Sequence, residues 1–189
     1  ANYSPDGKWI ATTDENWAVY IHDAQSGEVV DDFYGYAVSF NPKNSQQFLT
    51  IDGTTVSVWT IGQEQPALSF SNEDNGIRSA IFTSDGKQIL FVDDNFALNV
   101  WDIENGGEPS VVEDFSESRI YDTHFSSDGN YVLAPSGNNA VVWNLKDMSG
   151  GPVTLEGHTD LVLTGVFSND GRYVYTGSYD NTIRKWDAK

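Results

Sequence analysis

Chemistry in this chain would have to come from three histidines, an excess of carboxylates and scattered hydroxyls, because there is no cysteine. The histidines are His22, His124 and His158. No two of them have metal-ligand spacing, and no thiolate is there to complete a set, so no metal site is expected. Asn72-Glu73-Asp74-Asn75-Gly76 and Asp93-Asp94-Asn95 cluster oxygen ligands of the kind calcium takes. Neither follows the ligand order of an EF-hand loop, and both read as solvated loops. No G-x-S-x-G elbow, Walker loop or dinucleotide fingerprint is present, and no nucleophile–base pair stands out. Neither a catalytic residue nor a cofactor is therefore expected.

The 189 residues include 28 acidic and 10 basic ones, a formal charge of −18. Such a surface repels phosphate backbones and anionic headgroups, so nucleic acid and membranes are not expected as partners. A basic peptide would be steered inward, although the same carboxylates also serve simply to keep a β-rich chain in solution. No apolar stretch approaches the roughly 20 residues needed to span a bilayer. Zero cysteine fits a cytoplasmic chain, the preferred reading, and also a secreted one.

What would position any of these groups is an internal repeat. An aromatic residue precedes a turn five times, at Tyr3, Phe40, Phe82, Phe125 and Phe167. Four of the turns contain Asp-Gly (Asp6-Gly7, Asp85-Gly86, Asp128-Gly129 and Asp170-Gly171), and the other is Asn41-Pro42-Lys43-Asn44. Gly and Asn accept positive φ and Pro presets φ, so each is a turn-former. A second marker ends an alternating apolar run at Trp59, Trp101, Trp143 and Trp186, with His22 in the equivalent place. Aromatic and ring lie 19 residues apart in four copies and 18 in the copy from Phe125 to Trp143. Steps between rings are 37, 42, 42 and 43 residues. Alternation in runs rich in Val, Ile and aromatics is the period of half-buried strands. Each repeat thus predicts four short antiparallel strands, the outermost weaker, as at Ser110 to Glu113. A single such sheet cannot bury both faces, so copies must stack. The fold class expected is all-β, within one region 1–189 whose repeats run approximately 1–23, 24–60, 61–102, 103–144 and 145–187.

The last copy carries the decisive residues. It reads Gly157-His158-Thr159-Asp160, then Phe167-Ser168-Asn169-Asp170-Gly171, then Thr176-Gly177-Ser178-Tyr179-Asp180-Asn181-Thr182-Ile183, then Trp186-Asp187. This resembles the WD-repeat β-propeller family, whose blades are four-stranded antiparallel sheets and whose period of about 42 residues agrees. The resemblance implies a hydrogen-bond network of His158, Ser178 (or Thr176), Asp180 and Trp186, which makes His158 structural rather than catalytic. The other copies lack Gly-His and place Asn16, Gly53, Asn95 and Gly137 where the last has Asp180, so their blades must rely more on packing.

The resemblance also implies a partner docked on one end of the propeller. Counting back four and six positions from each aromatic marks Tyr36, Arg78, Tyr121 and Leu163, then Tyr34, Gly76, Arg119 and Leu161, with Tyr179 joining them. Tyr and Arg are enriched at binding hot spots, while packing between blades or pairing with Glu117 and Asp122 would use the same residues structurally. The expected function is a scaffold or sensor module that holds a peptide or protein segment. A structural segment of a larger signalling protein and a hydrolase are the alternatives. Family members mostly have seven blades. Five copies imply a part of a larger propeller, a ring completed by missing repeats or by a second chain, or a five-bladed ring.

Overall fold

The structure, a computed structural model, describes residues 1–114, 124–146 and 150–188. Nineteen strands are described, and they form five antiparallel sheets. Two compact units, 1–113 and 114–189, are taken in turn.

The first unit holds three four-stranded sheets, each with its strands in sequence order. Sheet A contains β1 (Asn2–Tyr3), β2 (Trp9–Thr13), β3 (Ala18–Asp23) and β4 (Val29–Tyr34). Sheet B contains β5 (Ala37–Asn41), β6 (Asn44–Asp52), β7 (Thr55–Thr60) and β8 (Leu68–Ser71). Sheet C contains β9 (Ile77–Phe82), β10 (Gln88–Asp93), β11 (Ala97–Asp102) and β12 (Ser110–Asp114). One apolar cluster joins A to B through Ile21, Phe33, Phe40 and Phe48, and a second joins B to C through Leu49, Val58, Phe82 and Phe91.

In the second unit, sheet D contains β13 (His124–Phe125), β14 (Tyr131–Ser136), β15 (Asn139–Asn144) and β16 (Val153–Leu155). Sheet E has three strands, β17 (Val162–Phe167), β18 (Tyr173–Ser178) and β19 (Ile183–Asp187). Leu133, Val142, Val162 and Val174 form the core between D and E.

The constant spacing of the two markers is now explained by register. Phe40 faces Phe48, and Phe48 faces Trp59. The same row runs Tyr3–Ile10–His22, Phe82–Ile89–Trp101, Phe125–Val132–Trp143 and Phe167–Val174–Trp186. Each pair of markers is therefore one line of side chains across a sheet. Val19 and Ile21 in β3, and Val56 and Val58 in β7, are fully buried between half-buried neighbours, as the alternation predicts, whereas β8 is mostly exposed. The turns that hold the row are chemically uniform. In four copies a Ser or Thr hydroxyl donates to the turn Asp: Ser4 to Asp6 (2.8 Å), Thr83 to Asp85 (2.6 Å), Ser126 to Asp128 (2.6 Å) and Ser168 to Asp170 (2.5 Å). That hydroxyl bond is the leading reason the Asp6, Asp85 and Asp170 carboxyls sit below their ordinary values.

Candidate functional site

At one end of the first unit, strand-connecting segments are tied to one another by backbone bonds. The Gly35 N–H donates to the Trp17 carbonyl, Tyr36 to Ile51, Ile77 to Gly53 and Asp94 to Gly76, all at 2.8–2.9 Å. Between them lies a pocket of about 630 Å³, with Trp17, Tyr36, Thr54, Ile77, Arg78 and Asp94 in its wall. Trp17 is 42% exposed, packs edge-on to Tyr36 at 5.3 Å between ring centroids, and lies 6.1 Å from Tyr34, which is 57% exposed. The Tyr36 hydroxyl donates to the Ile77 carbonyl. Burial pushes the Tyr36 phenol above its ordinary value, and the charges of Asp94 and Asp52 add to the effect. Arg78 holds the Asp94 carboxylate at 3.0 Å and lies 4.4 Å over the Phe96 ring. Gly76 makes room for that pair, since a Cβ there would fall 2.4 Å from an Asp94 carboxylate oxygen.

Two ring-bearing residues at this end occupy a backbone conformation that suits neither. Trp17 has φ 64° and Phe96 has φ 63°. Sheet E places Asn181, with φ 64°, at the same point of its turn. Asn tolerates the left-handed region, whereas a bulky ring there costs on the order of 1 kcal/mol or more.

Sheet E carries a polar relay. The Trp186 indole donates to Thr176 Oγ1 at 2.7 Å, Thr176 Oγ1 meets His158 Nε2 at 2.8 Å, and His158 Nδ1 meets Asp180 Oδ2 at 2.7 Å. One proton order satisfies every member: indole to hydroxyl, hydroxyl to Nε2, Nδ1–H to carboxylate. Asp180 also accepts the Thr159 and Thr182 backbone N–H groups and the Thr182 hydroxyl.

Residues 152–187 match the family described as WD domain, G-beta repeat. The last copy is a WD repeat. U3 small nucleolar RNA-associated protein 15 of Saccharomyces cerevisiae is 29% identical over 155 residues, 80% of this chain and 30% of that protein. Transducin-like enhancer protein 2 of Mus musculus is 28% identical over 193 residues, 98% of this chain and 24% of that protein. The chain thus spans about a quarter to a third of the length of these relatives. A crystal structure of the Cps50 (Swd1) β-propeller domain from Myceliophteria thermophila superposes with a TM-score of 0.76 at 13% identity, over 98% of this chain and 63% of that one. That likeness bears on fold alone, and the fold is that of β-propeller blades. WD-repeat propellers generally mediate protein interactions and are generally not enzymes.

The relay uses the second of the two hydroxyls expected. Thr176 is the hydroxyl between indole and imidazole, and Ser178 is not. Thr176 is buried and lies two residues along β18 from Val174, the residue facing Trp186. Ser178, at the strand end, donates to the Asp160 carbonyl at 2.8 Å and accepts the Asp180 N–H at 3.1 Å. The same offset recurs at Thr50, which accepts the Trp59 indole at 2.9 Å, and at Thr12, whose hydroxyl lies 2.9 Å from His22 Nε2. His22 is therefore bonded as well as packed. Phe91 and Ala134 take this place in sheets C and D, where no hydroxyl can do the same.

Of the predicted partner-binding residues, Tyr34, Tyr36, Gly76 and Arg78 come together at the pocket end of the first unit. Leu161, Leu163 and Tyr179 lie in the second unit, where the Tyr179 N–H donates to the Leu161 carbonyl at 2.9 Å and Tyr179 is 60% exposed. Arg119 and Tyr121 lie outside the described residues. Sequence reasoning missed Trp17 and Phe96. The available signal was an aromatic at the turn position that Asn181 fills in the last copy.

The Thr182 hydroxyl, opposed by burial and joined by His158, Thr159 and the Thr182 N–H, holds the Asp180 carboxyl far below its ordinary value of 3.8. Its stabilisation is complete at neutral pH and is withdrawn as pH falls from that ordinary value towards the lowered one. Urea unfolding should therefore show stability declining below about pH 4. Asp180→Asn should be less stable at neutral pH and should lose less on acidification. Equal slopes for the two proteins would exclude Asp180 as a source of acid sensitivity.

Proposed function

We propose that the chain is an interaction scaffold that binds a peptide or protein segment at the turn end of the 1–113 unit, in the pocket between Trp17, Tyr36 and Arg78. The observation that carries this reading is the placement of Trp17 and Phe96. Folding alone favours Asn or Gly at those turn positions. The rings are held there at a conformational cost; Trp17 lines the pocket, and Phe96 packs against Arg78, which also lines it. Trp17 keeps much of its surface in solvent beside the exposed Tyr34, which supplies rigid aromatic area of the kind that dominates binding energy. That exposure also separates this reading from a purely structural segment, in which packing would consume the same side chains.

The test pairs binding with stability. Peptides selected from a random phage-displayed library on the intact chain should bind Trp17→Asn about tenfold more weakly or worse. The same variant should unfold at an equal or higher urea concentration, because Asn relieves the left-handed strain. Selected peptides that bind Trp17→Asn undiminished, or a selection that yields none, would count against the pocket.

A further inference from the structure

Resting on that reading, we infer that the pocket takes a positively charged side chain, the lysine or arginine of a basic peptide, between the rings of Trp17, Tyr34 and Tyr36 and the carboxylates of Asp52 and Asp94.

One wall of the pocket already shows how this end of the molecule holds a cation. The Arg78 guanidinium lies over the Phe96 ring and against the Asp94 carboxylate, a ring and a counter-charge together. Across the pocket the components recur. Trp17 and Tyr36 present ring surface 5.3 Å apart, and Tyr34 extends it. Asp94 stands in the wall itself, and Asp52 directly precedes Gly53, which also lines the pocket. Among the described residues, Arg78 is the one cationic residue in the pocket wall, and its charge is answered by Asp94.

Charge complementarity selects the occupant. The segments 14–17, 52–55, 72–76 and 93–96, which surround the pocket, carry seven carboxylates and neither lysine nor arginine. An incoming carboxylate or phosphate would meet that field unfavourably, while an ammonium or guanidinium would be drawn in and would find electron-rich ring faces. An uncharged aliphatic side chain would gain contact with the rings but nothing from the carboxylates.

The experiment uses the whole chain and capped Gly-Ser peptides with one central residue: arginine, lysine, norleucine or glutamate. The readout is the ¹H–¹⁵N peak of the Trp17 indole, assigned by its loss in Trp17→Asn. Arginine and lysine peptides should shift this peak in a saturable way that weakens with salt, and norleucine and glutamate peptides should leave it in place. Asp52→Asn should weaken the arginine peptide about two- to fivefold and leave the unfolding midpoint unchanged. If norleucine or glutamate shifts the peak as strongly as lysine, the pocket still binds peptides and the cation assignment is overturned. If no peptide moves it while library-selected peptides without a basic residue bind through Trp17, the cation assignment again fails alone. If neither kind of peptide engages Trp17, both readings fall.

Discussion

Phe48→Ala should destabilise the 1–113 unit by about 3–5 kcal/mol, the largest single loss expected in this chain. Phe48 is fully buried and is the middle residue of the row Phe40–Phe48–Trp59. Its ring meets Phe33 edge-on at 4.9 Å and Phe40 at 6.0 Å, so one side chain joins the outer strand of sheet A to the inner strand of sheet B. Truncation removes apolar burial and leaves a cavity between two β-sheets, whose hydrogen-bonded backbones cannot collapse to fill it. Phe48→Leu should cost less, about 1–2 kcal/mol, because most of the volume stays. Val111→Ala, at an exposed site on an outer strand, should fall within about 0.5 kcal/mol of the parent. Urea unfolding of the three variants gives the order directly. A Phe48→Ala loss no greater than that of Val111→Ala would mean that the aromatic row does not hold sheets A and B together.

Thr176→Val should cost about 2–4 kcal/mol, although the two side chains have nearly the same shape. The hydroxyl is the acceptor for the Trp186 indole and the partner of His158 Nε2. A methyl group in its place strands two polar atoms, each at a cost of about 1–3 kcal/mol where water cannot reach. Thr176→Ser should recover most of the loss by restoring the oxygen. Ser178→Ala should cost about 0.5–1.5 kcal/mol, since its bonds to Asp160 and Asp180 lie at a partly exposed turn. Equilibrium unfolding of these three variants decides which hydroxyl belongs to the relay. A greater loss from Ser178→Ala than from Thr176→Val would reverse the assignment.

The strands were legible because their signals are local. The period-two alternation of Val56, Val58 and Trp59's flank, and the Asp-Gly turns at Asp85-Gly86 and Asp170-Gly171, act within a few residues along the chain. The marker spacing was legible as a number, but its cause was not, since a row such as Phe82–Ile89–Trp101 exists only once register is set. The hydroxyl of the relay shows the same limit. Thr176 and Ser178 are two residues apart and chemically alike, and only the register that sets Val174 opposite Trp186 decides which one meets the indole and the imidazole. Trp17 stayed unremarked because nothing local tells a residue in a turn that its φ will be 64° and that Tyr36, in the connection between β4 and β5, will lie against its edge.

The order of residues, by itself, determined an all-β chain of repeating four-stranded units and the turn at each unit's head, because hydrophobic period and turn chemistry depend on near neighbours, whereas the network of His158, Asp180 and Trp186 was implied only by the resemblance of the last copy. Tertiary structure alone decided that Trp17, Tyr36, Arg78 and Asp94, drawn from strands and connections far apart along the chain, share one pocket. The physical reason is that such a meeting depends on how sheets pack and in what register, and those are properties of contacts made far apart along the chain.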